Sequence, residues 1–108
     1  RHPEYSYSTI AFRQAVIDAH PEAIRAFLKA IEEATQKINT NPSQYTSLLN
    51  DQNIVPAPLL ETFVIPKFVT AGVPDQKQWD DMLAWATEKG LITKDVAYSD
   101  TVTAEFLP

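Results

Sequence analysis

The chain contains no cysteine, which excludes disulfides, a thiolate zinc site and a cysteine nucleophile. Two glycines in 108 residues are too few for a glycine-rich phosphate cradle. Cations are scarce as well: 9 Lys and Arg face 14 Asp and Glu, for a formal net charge of −5. A nucleic-acid binder needs clustered Lys and Arg to displace counterions from phosphates, so that class is excluded among the expected partners. No run approaches 18 apolar residues in succession, so nothing reads as a membrane span. Nor is there a basic stretch followed by an apolar one, so any secretory leader is expected to lie outside these residues. A chain opening on Arg1 reads as a processed or excised piece.

What is present is the balance of a soluble globular domain, 44% hydrophobic and 21% charged. Residues 5–12 alternate Tyr and Ser before turning apolar, a period of two that reads as a strand or an extended crossing segment. A short helical turn is expected over Arg13–Ala19. Pro21 then disfavours helix at His20 and opens a new one. Between Pro21 and Asn39, Ile24, Phe27, Leu28, Ile31, Ala34, Thr35 and Ile38 recur at intervals of three and four, predicting a core-facing stripe. Glu33 and Lys37 are placed for an i,i+4 ion pair. The isoleucines lie seven apart, but the repeat is too short for a coiled coil.

Asn41 and Pro42 fit the cap and first position of a helix running to about Leu49, with Tyr45, Leu48 and Leu49 inward. A further short helix is expected over 58–63, then an extended run from Val64 to Val69 that Pro66 makes a poor central strand. Asp75 with Gln78 resembles a capping box, and Trp79, Met82, Leu83 and Ala86 then share a face. Lys89 suits the helix end and Gly90 stops it. Asp100 is placed to cap one short turn.

Little of this points to chemistry. His2 and His20 lack metal-ligand spacing with any carboxylate, so no metal site is expected. The neighbouring acids Glu32 and Glu33, and Asp80 and Asp81, point about 100° apart on a helix and form no acid–base dyad from their own residues. Ser6, Ser8 and Thr9 have no nucleophile elbow around them. Trp79 and Trp85 read as core aromatics. Arg25 reads as a surface ion-pair partner of nearby Glu, and Arg13, after the extended segment, is the candidate for gripping an anionic ligand.

Taken in order, the segments His20-Pro21-Glu22-Ala23-Ile24-Arg25-Ala26-Phe27-Leu28-Lys29-Ala30, Asn39-Thr40-Asn41-Pro42, Ile65-Pro66-Lys67-Phe68, Trp85-Ala86-Thr87-Glu88-Lys89-Gly90-Leu91-Ile92 and Phe106-Leu107-Pro108 resemble one family. It is the group of solute-binding proteins of ABC importers that serves nitrate, sulfonates, taurine and thiamine precursors. The resemblance covers nearly the whole chain and implies a mainly α fragment of a two-lobed α/β periplasmic binding protein of type II. Residues 1–13 would be an extended, hinge-proximal segment with Tyr7, Ser8 and Thr9 near the lobe crossing. Residues 14–108 would be a helical segment packing on one lobe. The implied protein is not an enzyme and carries no cofactor. It is extracytoplasmic, and it hands a small-molecule solute to a membrane permease. Most pocket residues would lie upstream, so no ligand contact transfers residue by residue. The family's members are about three times this length, so the apolar stripe of the long helix would lack its usual cover here. The piece is then expected to repack as a small bundle or to self-associate. The competing expectation is a free-standing helical interaction domain whose groove beside helix 75–89 takes a partner helix. An enzyme of the same fold is a third expectation, but it needs a histidine-rich or iron-binding segment upstream.

Overall fold

Prolines and one side-chain cap set where several of the elements begin. The computed structural model describes residues 8–108. In order, these residues form α1 (Gln14–Ala19), α2 (Pro21–Thr40), a 3-10 turn (Pro42–Tyr45), α3 (Thr46–Asp51), a second 3-10 turn (Ala57–Leu59), α4 (Gln76–Glu88) and α5 (Tyr98–Thr101). The fold class is mainly helical, and among the described residues there is no strand. The strand reading of residues 5–12 is therefore corrected over its described part, 8–12, where no neighbouring backbone pairs with the segment. Its first residues, Tyr5, Ser6 and Tyr7, lie outside the described residues.

α1 opens on Arg13, whose carbonyl accepts from the amides of Val16 and Ile17 at 2.8 and 3.1 Å. It stops at Ala19 because Pro21 forces His20 out of helical geometry, to φ −140° and ψ 50°. Pro21 then sits at the first turn of α2, where its missing N–H costs nothing. The helix ends at Thr40, one residue past the expected Asn39.

The expected single helix from Pro42 to Leu49 is two pieces. A 3-10 turn gives way to α3 at Thr46. Asn41 does not cap an amide with its side chain; its Oδ1 instead accepts from the Ser43 hydroxyl at 2.8 Å. Leu48 is exposed rather than inward. α3 closes on a Schellman motif: the amides of Asn53 and Ile54 donate to the carbonyls of Asn50 and Leu49 at 2.9 Å each. The motif needs a left-handed residue after the cap, and Asn53 supplies it at φ 51°. The helix expected over 58–63 shrinks to one 3-10 turn, with the amides of Thr62 and Phe63 both donating to the Leu59 carbonyl.

α4 carries its start and stop in its own sequence. The Asp75 carboxylate accepts the Gln78 amide at 2.7 Å. At the other end the amides of Gly90 and Leu91 donate to the carbonyls of Thr87 and Ala86 at 3.0 and 2.9 Å, a second Schellman motif around Gly90 at φ 68°. Trp79 packs edge-on against Tyr98 of α5 with ring centroids 6.4 Å apart, and the Tyr98 hydroxyl donates to the Pro74 carbonyl at 2.7 Å. α5 starts from Ala97, so Asp100 falls inside the turn rather than capping it.

The face that α2 turns inward differs from its apolar stripe. Ile24 is buried and Leu28, Thr35 and Ile38 are half-buried, whereas Phe27 and Ile31 stay 47% and 42% exposed. At 100° per residue the shielded face is turned roughly a fifth of a turn from the stripe's centre. Three polar residues spaced by seven mark that face. The Arg25 guanidinium donates to the Glu105 carbonyl, meets its carboxylate at 3.3 Å and lies 4.8 Å from the Phe106 ring centre. Glu32 accepts the Ala71 amide at 2.6 Å. Asn39 donates to the Phe68 carbonyl at 2.8 Å and accepts the Phe68 amide at 2.9 Å. Each follows an isoleucine of the heptad, so the packed ridge is the row beside the one the apolar spacing marks. Glu33 and Lys37, expected to pair, form no ion pair within 4 Å.

The resulting core is small. Among the described residues, Ile24, Val55 and Phe106 are the buried apolar ones, joined by Gln78. The chain exposes 8844 Å², nearly half as much again as the roughly 6,000 Å² of a compact monomer of its mass. Its radius of gyration, 17.2 Å, likewise exceeds the roughly 13 Å of a compact chain this long.

Candidate functional site

Arg13 sits where the chain enters α1, and its backbone, not its side chain, does the structural work there. The side chain is exposed and lines neither the hollow beside Tyr45 nor the one along residues 67–70. Ser8 and Thr9 are exposed in the irregular lead-in to α1, and Tyr7 lies outside the described residues. The nearest packing feature is the edge-on contact of Phe12 with Phe27, at 5.9 Å between centroids, which ties the lead-in to α2. The structure therefore places Arg13 at the start of α1, beside the Phe12 that packs on α2, without converging other described donors on it.

The larger hollow, about 520 Å³, lies at the C-terminal end of α2, between Gln36, Thr40, Gln44 and Tyr45, with Glu33 and Lys37 at its sides. It is an open depression formed where the chain leaves α2 and turns at Pro42. Ligand pockets of that volume usually bury most of their ligand; this one leaves a solute largely hydrated.

Catalytic groupings are not assembled around either hollow. Glu32 spends its carboxylate on Ala71 and on the Gln36 amide, 2.8 Å away. Asp81 pairs with Lys77 at 2.6 Å. His20 is exposed and serves the α2 entry through its carbonyl, which accepts from Ala23 and Ile24. Among the described residues no three His, Cys, Asp or Glu lie together in a way that could hold a metal ion. No helix among them is long and apolar enough to cross a membrane.

The tryptophans divide. Trp79 is packed, donating through Nε1 to the Val96 carbonyl at 3.4 Å. Trp85, expected in the core, is 54% exposed beside the equally exposed Met82, with Leu91 just past the helix end. Among the described residues the ring contact between α4 and α5 falls on Trp79, not on Trp85. The residues that sequence reasoning passed over are Glu32 and Asn39. Their signal was the seven-residue spacing they share with Arg25, each next to an isoleucine of the stripe.

Set against known proteins, the chain matches no family model, no curated protein and no solved structure.

Proposed function

We propose that the chain is the C-terminal portion of an extracytoplasmic solute-binding protein, a two-lobed α/β receptor that closes on a small solute and delivers it to an ABC importer. The solute class implied by the motif order is a nitrate-, sulfonate- or taurine-like anion or a thiamine precursor. In this reading residues 1–13 run near the hinge and residues 14–108 brace one lobe, contributing one wall of the cleft rather than a complete pocket. The observation that carries the reading is the surplus of uncovered apolar surface. α2, the longest helix, keeps Phe27 and Ile31 about half exposed while fixing its other flank with three polar side chains. A helix of an α/β lobe buries such a stripe against a sheet, and soluble monomers rarely leave one open.

The test is thermal-shift screening of the chain joined to the lobes it is read as bracing, against nitrate, small sulfonates, bicarbonate and pyrimidines. One class should raise the melting temperature of the complete receptor, and none should shift the 108-residue chain alone. Micromolar binding of any of them by the isolated chain overturns the proposal. Arg13→Ala in the complete receptor should weaken anion binding, and unchanged affinity removes Arg13 from the site.

A helical interaction domain is the second reading, favoured by one observation: Met82 and Trp85 are each 54% exposed on α4 and Leu91 is 65% exposed just beyond it. An apolar ridge of this kind suits a partner helix. If Trp85 fluorescence is unchanged on joining the chain to its lobes but blue-shifts with an amphipathic helical peptide, this second reading displaces the first.

A further inference from the structure

Both backbone groups of Phe68 are engaged by one side chain, the amide of Asn39, at 2.8 and 2.9 Å. A single side-chain amide reaches the N–H and C=O of one residue together when that residue is in the extended β conformation, with both groups on one edge. Among the described residues no peptide is cis, and in a trans peptide the C=O and N–H point in opposite directions. The peptide between Lys67 and Phe68 turns its N–H toward α2, so the Lys67 carbonyl points away. The peptide between Phe68 and Val69 turns its C=O toward α2, so the Val69 N–H also points away. Neither group has a hydrogen-bond partner among the described residues.

The side chains around this edge fit its backbone. Val64 and Val69, at 82% and 84%, are the most exposed large apolar residues described. A shallow groove of about 320 Å³ runs along Lys67, Phe68, Val69 and Thr70. Lys67 is exposed and has no ion pair among the described residues.

We propose that residues 67–69 are a strand-edge docking site for an extended peptide segment of a partner protein, one that carries an acidic residue two positions from a β-branched apolar residue, so that both lie on one face. The backbone of the segment pairs with the Lys67 carbonyl and Val69 amide, its apolar side chains lie beside Val69, and its carboxylate meets Lys67. Strand addition of this kind takes affinity from main-chain bonds and specificity from alternate side chains. A second copy of this chain is the poorer occupant. Antiparallel self-pairing about Phe68 brings the two Lys67 side chains onto one face as diagonal neighbours, a like-charge arrangement. Pro66 and the bend at Ala71 keep the edge too short to bury the roughly 800 Å² per partner of a stable dimer. A lysine and a proline on an edge are also the usual guards against self-pairing. This inference stands apart from the solute-binding reading, because it requires neither a second lobe nor a solute.

The probe is a terminally blocked pentapeptide of sequence Thr-Val-Thr-Glu-Thr, whose Val and Glu share one face, titrated into the full 108-residue chain while amide resonances are followed by NMR. The Val69 amide should shift most, with saturation at or below millimolar peptide, and the Glu→Lys version of the peptide should bind about tenfold more weakly. Val69→Pro removes the outward donor yet leaves Phe68 in the extended conformation that a following proline favours; it should weaken binding about tenfold. Lys67→Glu alters no backbone group and should reverse the preference toward the lysine peptide, which keeps the test decisive if Val69→Pro fails to fold. Equal binding of both peptides, shifts centred on Phe27 and Ile31, no binding at millimolar peptide, or dimerisation through Val69 without peptide each overturns the proposal.

Discussion

α2 and α4 are both amphipathic, yet they hold their places by different means. α4 is defined within its own sequence: Asp75 caps it, Gly90 stops it, and Trp79 finds Tyr98 a short way along the chain. α2 has no side-chain cap at its start. Its orientation comes from residues 29, 39 and 80 positions away, reached by Asn39, Glu32 and Arg25. A helix placed by local signals keeps its apolar stripe and its packed face roughly together; one placed by distant hydrogen bonds can turn the two apart. That separation makes Phe27 and Ile31 available for a partner surface, the core of the functional proposal.

The largest expected effect tests that separation inside one helix. Ile24 and Ile31 share the same residue type, helix and heptad row, but Ile24 is 3% exposed and Ile31 is 42%. Ile24→Ala should cost about 3 kcal/mol, transfer plus cavity. Ile31→Ala should cost less than about 1 kcal/mol, because the side chain remains partly in water. Urea unfolding followed by tryptophan fluorescence measures both. Equal losses would mean that α2 buries its stripe, and the uncovered-surface argument would fall with that result.

Next in size is the loss of Asn39. Asn39→Ala removes two hydrogen bonds to Phe68, at about 1 kcal/mol each, so about 2 kcal/mol in all. Asn39→Asp retains an acceptor for the Phe68 amide but has no donor for the carbonyl, and should fall between the two. Hydrogen exchange at the Phe68 amide reads this directly: protection should vanish in the alanine variant. Persistent protection would show that the 64–70 segment is held by something other than α2.

This ranking also explains which parts were legible in advance. The bounds of α2 and α4 follow from Pro21, Asp75 and Gly90, whose effects are confined to one turn of backbone, so local spacing finds them. The orientation of α2 was hidden because Arg25, Glu32 and Asn39 look like ordinary polar surface until the chain brings Glu105, Ala71 and Phe68 beside them. The end of α3 was missed for a smaller reason. The helix was expected to stop at about Leu49 but runs to Asp51, because its stop is Asn53, which adopts the left-handed conformation usually given to glycine. Trp85 and Leu48 were misplaced by assuming that an apolar residue on a helix has something to pack on. For the candidate site, Arg13 stands out by its residue type and its place after the extended segment, and the fold gathers no second described donor around it.

A smaller effect is expected at the stop of α4. Gly90 is left-handed at φ 68°, with open space where a Cβ would stand. Gly90→Ala should therefore cost about 1 kcal/mol, from backbone conformation alone. A larger loss, measured by the same urea transition, would indicate a contact in solution that the open surface at this helix end lacks.

Asp75 gives the finest comparison, because its two substitutions separate the shape of the cap from its charge. Asp75→Ala leaves the Gln78 amide without its acceptor and should cost about 1 kcal/mol. Asp75→Asn keeps an oxygen at the same place and should differ from the parent by only a few tenths of a kcal/mol, the share of the helix dipole. Because α4 is set by signals in its own turn, neither change should disturb the bond of the Phe68 amide to Asn39 of α2. If Asp75→Ala instead releases Phe68, the two helices are coupled through the 64–75 segment. The contrast between a locally specified helix and a remotely anchored one would then give way to a single cooperative unit.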